Sequence, residues 1–340
     1  MIGLDALSFV GNGLVRPECV IWHPDGLLVV PDWTPPGGVT LIDAASVRCH
    51  RLLAKLPDAG VDLPVRANGI AFEADGSLLL AHLGDLRGGI YRLSSDGRCS
   101  VVCATVDGAL LPPANFVTSG PDGRIWLTVS TRKIPRAEDY RADAASGFIA
   151  VVDDASGDAR IVADGLGYTN ECCFSPDGGT LYVNETFAQR LSAFEVHDGG
   201  LRGRRTVTVF GPGDFPDGVA ATADGGLVVT CIVSNRVIHV AADGTQTVWI
   251  DGSVPGDVAA AVTAFNSGAL LSQHLQAARG ATLAMTSSLA FGGADLSTGY
   301  LGTLGGTAVP AFTAPVAGAA LRHHAADARP LLDTVRETIA

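Results

Sequence analysis

The chain has 340 residues, 47% hydrophobic and only 17% charged, with 42 glycines and 18 prolines; that mixture excludes a disordered chain and suits many short strands joined by tight turns. With 23 basic against 35 acidic residues the net charge is −12, which repels phosphate backbones and, without any basic run, excludes nucleic acid and anionic lipid as partners. No stretch is apolar enough to span a membrane, so a small molecule is the expected partner, and the oligomeric state is left open.

In chain order, Leu7 to Val10 is a short strand followed by a turn at Gly11-Asn12-Gly13. Glu18 then opens ECVIWHPDGLLVVPD, a buried run, a turn at Asp25 and a second run of β-formers, which is the pattern of a hairpin. The same phrase returns as NGIAFEADGSLLLAH from Asn68, NFVTSGPDGRIWLTV from Asn115, NECCFSPDGGTLYVNE from Asn170 and DGVAATADGGLVVTC from Asp217, with a degenerate sixth copy, SLAFGGADLSTGYLG, from Ser288. Third strands follow at 38 to 43, 89 to 93, 147 to 152, 190 to 196 and 236 to 240. The turn aspartates are 50, 47, 55, 47 and 71 residues apart, close to the roughly 40 to 50 residues of one four-stranded propeller blade. These spacings predict an all-β fold, a six-bladed β-propeller of four-stranded blades around a central channel, over residues 1 to 318. Its ring is expected to close by pairing strands from the two ends of the chain, Leu7 to Val10 with Ala308 to Thr313. Residues 319 to 340 read as a partly helical surface appendage.

Two insertions interrupt the repeats. Ser130 to Ser146 is polar and leaves the second strand of the third repeat on the face where that repeat begins, so it is placed as a lid. Its Arg132, Lys133 and Arg136 are candidates to hold a substrate carboxylate, although a solvated loop charge is the more ordinary role. The other, Asp251 to Leu271, is Ala-rich and uninformative, with Gln273 and His274 just beyond it as candidates to reach a pocket. The seven cysteines are odd in number and form no CxxC pair, and the N-terminus lacks a basic region and a long apolar core; a reducing cytoplasm is expected. The cysteines read as small buried apolar side chains.

Seven residues before each turn aspartate stand Glu18, Asn68, Asn115, Asn170, Asp217 and Ser288. An oxygen donor heads every inner strand, where a β-former is the ordinary occupant. One such residue is a common strand cap; six in register predict a ring of oxygens on the axis, which suits a hard divalent cation. Asp32, His82, Asn184 with Glu185, and Cys231 are expected beside this ring, and a patch holding Glu18, Asp32 and Asp217 needs either a cation or a proton to offset its repulsion. With no Cys and at most one His among the donors, the expected cofactor is one divalent cation, Ca²⁺ before Mg²⁺, Mn²⁺ or Zn²⁺.

PECVIWHPDG, RANGIAFEADGSLLLAH, NECCFSPDGGTLYVNE and FPDGVAATADGGLVV resemble phrases of the SMP-30/gluconolactonase/LRE-like family, also called regucalcin-like proteins, over roughly residues 10 to 318. The resemblance implies a six-bladed propeller with a divalent metal at the mouth of its channel and hydrolysis of sugar lactones or similar esters. It also implies that Glu18, Asn170 and Asp217 are the metal ligands and Asn115 a further active-site residue. The chain departs from the family at Phe116, where an acidic residue is frequent, and at Pro113, where some members carry Arg, so its polar sugar-binding wall is weaker. Phe116, Phe187, Trp33 and Tyr168 point to a less polar lactone or ester.

The expected reaction is metal-assisted hydrolysis of a lactone, with carbonyl activation by the cation and attack by water. Asp217 is the expected base and His82 a second candidate to carry the proton. Asn68, Asn115, Phe116, Asn184 and Trp33 are expected to touch substrate. A metal-dependent isomerase or lyase acting α to a carbonyl, and a binding propeller without turnover, are the rival readings. Nucleophilic Ser or Cys catalysis is disfavoured, since no GxSxG elbow is present.

Overall fold

The structure is a computed structural model and describes residues 1–153 and 156–337. Those residues form six antiparallel sheets arranged as the blades of a propeller. Blade 1 consists of Ile21–His23, Leu27–Asp32, Gly38–Asp43 and Arg48–Leu53, and blade 2 of Ala67–Phe72, Leu78–Leu83, Gly88–Leu93 and Arg98–Cys103. Blade 3 is Phe116–Ser119, Ile125–Val129, Gly147–Val152 and Asp158–Leu166; blade 4 is Thr169–Phe174, Thr180–Glu185, Arg190–His197 and Gly200–Val209. Blade 5 comprises Pro216–Ala221, Leu227–Cys231, Arg236–Val240 and Gln246–Asp251. Blade 6 is Thr286–Gly292, Thr298–Thr303 and Val309–Thr313, completed on its outer edge by Ser8–Val10 from the other end of the chain. Short strands at Leu56–Pro57, Thr105–Val106 and Ala109–Leu110 extend the outer edges of blades 2 and 3.

The predicted closure is present: Ser8 faces Ala311, Phe9 faces Pro310 and Val10 faces Val309. Middle strands such as Leu27–Asp32 and Leu78–Leu83 are buried at every position, because each blade packs both faces against its neighbours. Leu27, Val29 and Leu41 of blade 1, for example, share a cluster with Ile70, Leu80 and Tyr91 of blade 2. That two-sided burial is why these strands read as continuous runs of Leu and Val and not as an alternation.

The turns repeat in detail. In five of the six, the turn aspartate accepts a hydrogen bond from the backbone N–H two residues on, as Asp177 does from Gly179 at 3.0 Å. The residue after it turns into the left-handed region, which Gly fills at Gly26, Gly76, Gly123, Gly178 and Gly225; the degenerate sixth copy puts Leu296 there at φ 57°. The cysteines are free thiols, and burial pushes Cys99 up to about 12 and Cys103 up to about 11, so both are inert thiols.

The Ala-rich insertion is helical, Pro255–Asn266 followed by Ser272–Ala277, with Pro at its first position. It carries Ala261, Phe265 and Leu275 onto Phe187 and Phe215. Neither of the two residues expected to reach a pocket does so: Gln273 is exposed, and His274 Nδ1 caps its own helix by accepting a hydrogen bond from Leu271 N at 2.9 Å.

A central cavity of about 700 Å³ is bounded by all six innermost strands. The chain from Ala319 to Ala326 crosses its turn end, so the tail is built into the propeller's underside. Ala319 N donates to Ala221 O at 2.9 Å and Asp327 N to Ala74 O at 3.2 Å, while His323 Nε2 lies 2.8 Å from Trp22 O and His23 Nε2 lies 3.0 Å from Ala326 O. The helix Arg329–Glu337 then buries Leu331, Leu332 and Val335 against blades 1 and 2. Residues 338–340 of the expected tail lie outside the described residues.

Burial, reinforced by the nearby His324 and His23, depresses His323 to about 4. Between pH 6.5 and about 4 the unfolded chain therefore binds a proton that the native imidazole refuses, so stability falls as pH falls through that window, on the order of 2 kcal/mol for this group. Urea unfolding of wild type and His323→Gln at pH 7.5 and pH 4.5 is expected to show a smaller acid loss in the variant.

Candidate functional site

The six column residues are all buried, and bonds between blades draw them to the axis. Asn68 Nδ2 donates to Asn115 O at 3.0 Å, and Ser287 Oγ donates to Glu18 O at 2.8 Å across the seam between blades 6 and 1. Ser288 Oγ accepts from Val20 N at 3.4 Å. Between blades 4 and 5, Thr186 Oγ1 accepts from Asn170 Nδ2 at 3.1 Å and donates to Pro216 O at 2.8 Å. Glycine permits this convergence: a Cβ on Gly218 would sit 2.6 Å from Ser288 Cα, and one on Gly69 would sit 2.6 Å from Phe116 Cα.

Three oxygens of this ring have no hydrogen bond although each is buried, namely Asn115 Oδ1, Asn170 Oδ1 and Glu18 Oε2. Such groups are rare in native interiors and call for a missing partner. Glu18 Oε2 does lie 2.6 Å from Arg16 Nη2 as an ion pair, so the two amide oxygens are the ones left without a neighbouring donor. The Asn170 amide is held nitrogen-out by Thr186, which leaves its oxygen free to face the ring.

Burial holds Asp217 well above the usual carboxylate range, the charges of Glu18 and Glu171 add to the effect, and Arg16 and Arg136 oppose it. Glu171, one residue beyond Asn170, is pushed up to about 8 by burial, against hydrogen bonding from Ser288. Its Oε2 accepts from Val219 N at 3.4 Å and it lines the cavity with Cys19 and Ser288. Glu171, Arg16 and Thr186 were not foreseen; the signal available in the sequence was a charged residue inside a run of buried positions, at Glu171, and next to the column, at Arg16.

The remaining candidates divide. Phe116 lines the cavity below the ring. Trp33 stands at the mouth, with Nε1 donating to Ala67 O at 2.7 Å and the Arg16 guanidinium 4.4 Å above its ring centroid. Asn184 is fully buried, and its amide donates to the carbonyls of Asp217 at 3.0 Å and Gly218 at 2.9 Å, so it braces the Asp217 strand. His82 sits in a separate pocket of about 350 Å³ with Asp62, Arg66, Asp85 and Arg87. There its Nδ1 accepts from Arg66 N at 3.1 Å, its Nε2 is 3.6 Å from Asp62 Oδ2, and its ring stacks on Tyr91. Asp32 is spent on Arg51, Thr40 and Thr34 N, and Glu185 on Arg190, Arg204 and Ser192. Tyr168 and Phe187 are buried in a cluster with Tyr140, Phe215 and Phe265, so they pack instead of facing a ligand.

The insertion from Ser130 to Ser146 is a pinned arch. Asp139 accepts from Thr131 Oγ1 and Ser146 Oγ, and Tyr140 packs 4.7 Å from Phe187. Arg132 turns outward to Asp164 at 2.8 and 3.0 Å. Arg136 turns inward: its Nη2 donates to Ser130 Oγ at 3.0 Å and its guanidinium lies 5.5 Å from the Tyr168 ring centroid.

A divalent cation was expected here. Among the described residues no group of three or more His, Cys, Asp or Glu is placed to hold one, but the donors of this ring are carboxylates mixed with amides. Two buried amide oxygens without donors beside the carboxylates of Glu18 and Asp217 fit an oxygen-seeking cation.

Comparison with known proteins places this arrangement. The family described as SMP-30/Gluconolactonase/LRE-like region matches residues 16–275. A 6-deoxy-6-sulfogluconolactonase of Pseudomonas putida is 28% identical over 235 residues, spanning 67% of this chain and 76% of that protein. Among solved structures, a gluconolactonase of Xanthomonas campestris superposes with a TM-score of 0.64 at 21% identity, covering 91% of this chain and 88% of that one. A calcium-binding regucalcin of Agrobacterium tumefaciens gives 0.60 at 17% identity, covering 91% and 96%. These structural likenesses bear on the fold.

Thr186→Val would leave Asn170 Nδ2 and Pro216 O unpaired in a buried site. A loss on the order of 2 kcal/mol in urea unfolding is expected, largely recovered in Thr186→Ser; equal stability of the Val variant would show that Thr186 does not hold the amide.

Proposed function

The chain belongs to the SMP-30/gluconolactonase/LRE-like family, and from that premise we propose that it is a metal-dependent lactonase that opens a sugar lactone or a less polar lactone by attack of water. The observation that carries the reading is the pair of buried amide oxygens without donors at Asn115 and Asn170, on one ring with the carboxylates of Glu18 and Asp217. Glu18, Asn170 and Asp217 would hold the cation, and an all-oxygen set favours Ca²⁺, with Mg²⁺, Mn²⁺ and Zn²⁺ as further candidates. When bound, a divalent cation supplies Lewis-acid polarisation of the lactone carbonyl and offsets the repulsion between Glu18 and Asp217.

The chain's own residues then have separate tasks. Asp217 offers a carboxylate oxygen to take the proton of the attacking water, and the Asn184 amide keeps its strand in place through two backbone carbonyls. Asn115 Oδ1 is available to accept from a substrate hydroxyl or from water at the ring. Trp33 gives the mouth an apolar wall, and Phe116 adds an apolar face to the cavity beneath the ring. His82 is not assigned the proton, because it lies in its own pocket against Asp62.

Elemental analysis of the purified protein is expected to find about one divalent ion per chain, reduced at least tenfold in Glu18→Ala, Asn170→Ala and Asp217→Ala. Equal metal content in all four proteins would overturn the assignment. With a lactone panel in ¹⁸O-labelled water, one solvent oxygen is expected in each product molecule; turnover without label would point to isomerisation or elimination, and metal retention without turnover to a binding role.

A further inference from the structure

We propose that the lactone taken by this ring carries an oxyanion and that Arg16 and Arg136 receive it. This rests on the lactonase reading and narrows its substrate class. Arg16 is held with φ 57°, a backbone conformation that glycine adopts without strain, and is followed directly by Pro17 and Glu18. Its guanidinium lies 4.4 Å over the Trp33 ring, whose indole is itself tied to Ala67 O. Only Glu18 at 2.6 Å and the long contact to Asn68 Oδ1 at 3.5 Å occupy its five N–H groups, and Nε is buried with no partner.

Arg136 repeats the pattern from the arch. One Nη2 contact to Ser130 Oγ and the face of Tyr168 position it, and its buried Nε again has no partner. The other arginines around the mouth and on the arch are each matched to a carboxylate: Arg16 to Glu18, Arg66 to Asp85, Arg87 to Asp62, Arg132 to Asp164 and Arg141 to Asp143. Arg136 has no carboxylate within ion-pair reach among the described residues. Arg16 reaches the ring through Glu18 and Asn68, and Arg136 stands over Tyr168, two residues before Asn170.

A guanidinium with buried, unused N–H groups is recognition hardware for a planar or tetrahedral oxyanion, which accepts two or more of them at once. A neutral sugar hydroxyl accepts one and leaves the positive charge unanswered. In a chain of net charge −12 long-range attraction would not draw in an anion, so local cations at the mouth are what such a substrate needs. Pro113 and Phe116 supply no polar alternative on the third blade. The ligand chemistry is therefore a carboxylate, sulfonate or phosphate borne on the lactone, a few bonds from the ring carbonyl.

The test uses the metal-loaded full chain and reads binding apart from turnover. By calorimetry, glutarate and 3-sulfopropanoate are titrated into wild type, Arg16→Gln and Arg136→Gln, with dimethyl glutarate as the neutral control and thermal unfolding to verify that each variant folds. The expected result is binding of at least one dianion, at least tenfold weaker in Arg136→Gln, with no binding of the diester; which dianion binds tells carboxylate from sulfonate. In parallel, kcat/KM is compared for a lactone bearing a side-chain carboxylate and for its methyl ester. A preference of tenfold or more for the charged member is expected, falling towards one in Arg136→Gln. Hydrolysis of both lactones without a charge preference, or dianion affinity unchanged in Arg136→Gln, overturns the oxyanion proposal and leaves the lactonase reading standing. Arg136-dependent dianion binding without hydrolysis of either lactone does the reverse.

Discussion

Everything on the axis depends on three pairs of residues. Ser8, Phe9 and Val10 lie opposite Ala311, Pro310 and Val309, and that antiparallel ladder turns a row of six sheets into a ring. An open row would leave blade 6 with an unpaired outer edge. It would also leave the innermost strands without a common centre, since Ser287 could not reach Glu18 across the seam. Closure is therefore a condition of the site as well as of stability: two of the six column residues, Glu18 and Ser288, come from the blades that it joins.

Once closed, the ring has an electrostatic problem. Glu18, Asp217 and Glu171 converge in a buried space, and burial alone disfavours their charged forms. Hydrogen bonds do little to relieve it, because the amides nearby are committed elsewhere: Asn68 to Asn115 O, Asn170 to Thr186 and Asn184 to the Asp217 strand. The Thr186 contact leaves the Asn170 amide oxygen without a donor, and Asn115 Oδ1 likewise has none. Arg16 and Arg136 oppose the effect of burial at Asp217, and under the proposed function a divalent cation would offset the remainder.

The surroundings of the mouth are asymmetric in a way that follows from packing. On the side of blades 4 and 5, the helical insertion brings Phe265 onto Phe187 and Phe215, and the arch adds Tyr140 and Tyr168. This satellite core pins the arch, which makes Arg136 a fixed feature and not a mobile one. On the side of blades 1 and 2 the wall is Arg16 and Trp33. At the opposite end of the channel the segment Ala319 to Ala326 crosses beneath the turns and lines the cavity there.

The repeated phrase and its spacing determined the architecture: six blades, their turns and the closing strand all follow from hairpin chemistry that is local in the chain, and the radial repeat makes any one column converge. For the same reason Glu18, Asn68, Asn115, Asn170, Asp217 and Ser288 were legible as a set before any coordinates. What the pattern could not convey is where a side chain turns once it leaves the backbone. His82 and Asn184 hold the same register position in the second and fourth repeats, yet one faces Asp62 in a side pocket and the other grips the next blade. Arg16 and Arg136 lie 120 residues apart in unrelated contexts, and only the fold sets one against Glu18 and the other over Tyr168. The docking of the tail was likewise invisible, because Leu331, Leu332 and Val335 need the groove between blades 1 and 2, a surface that exists only after those blades have packed.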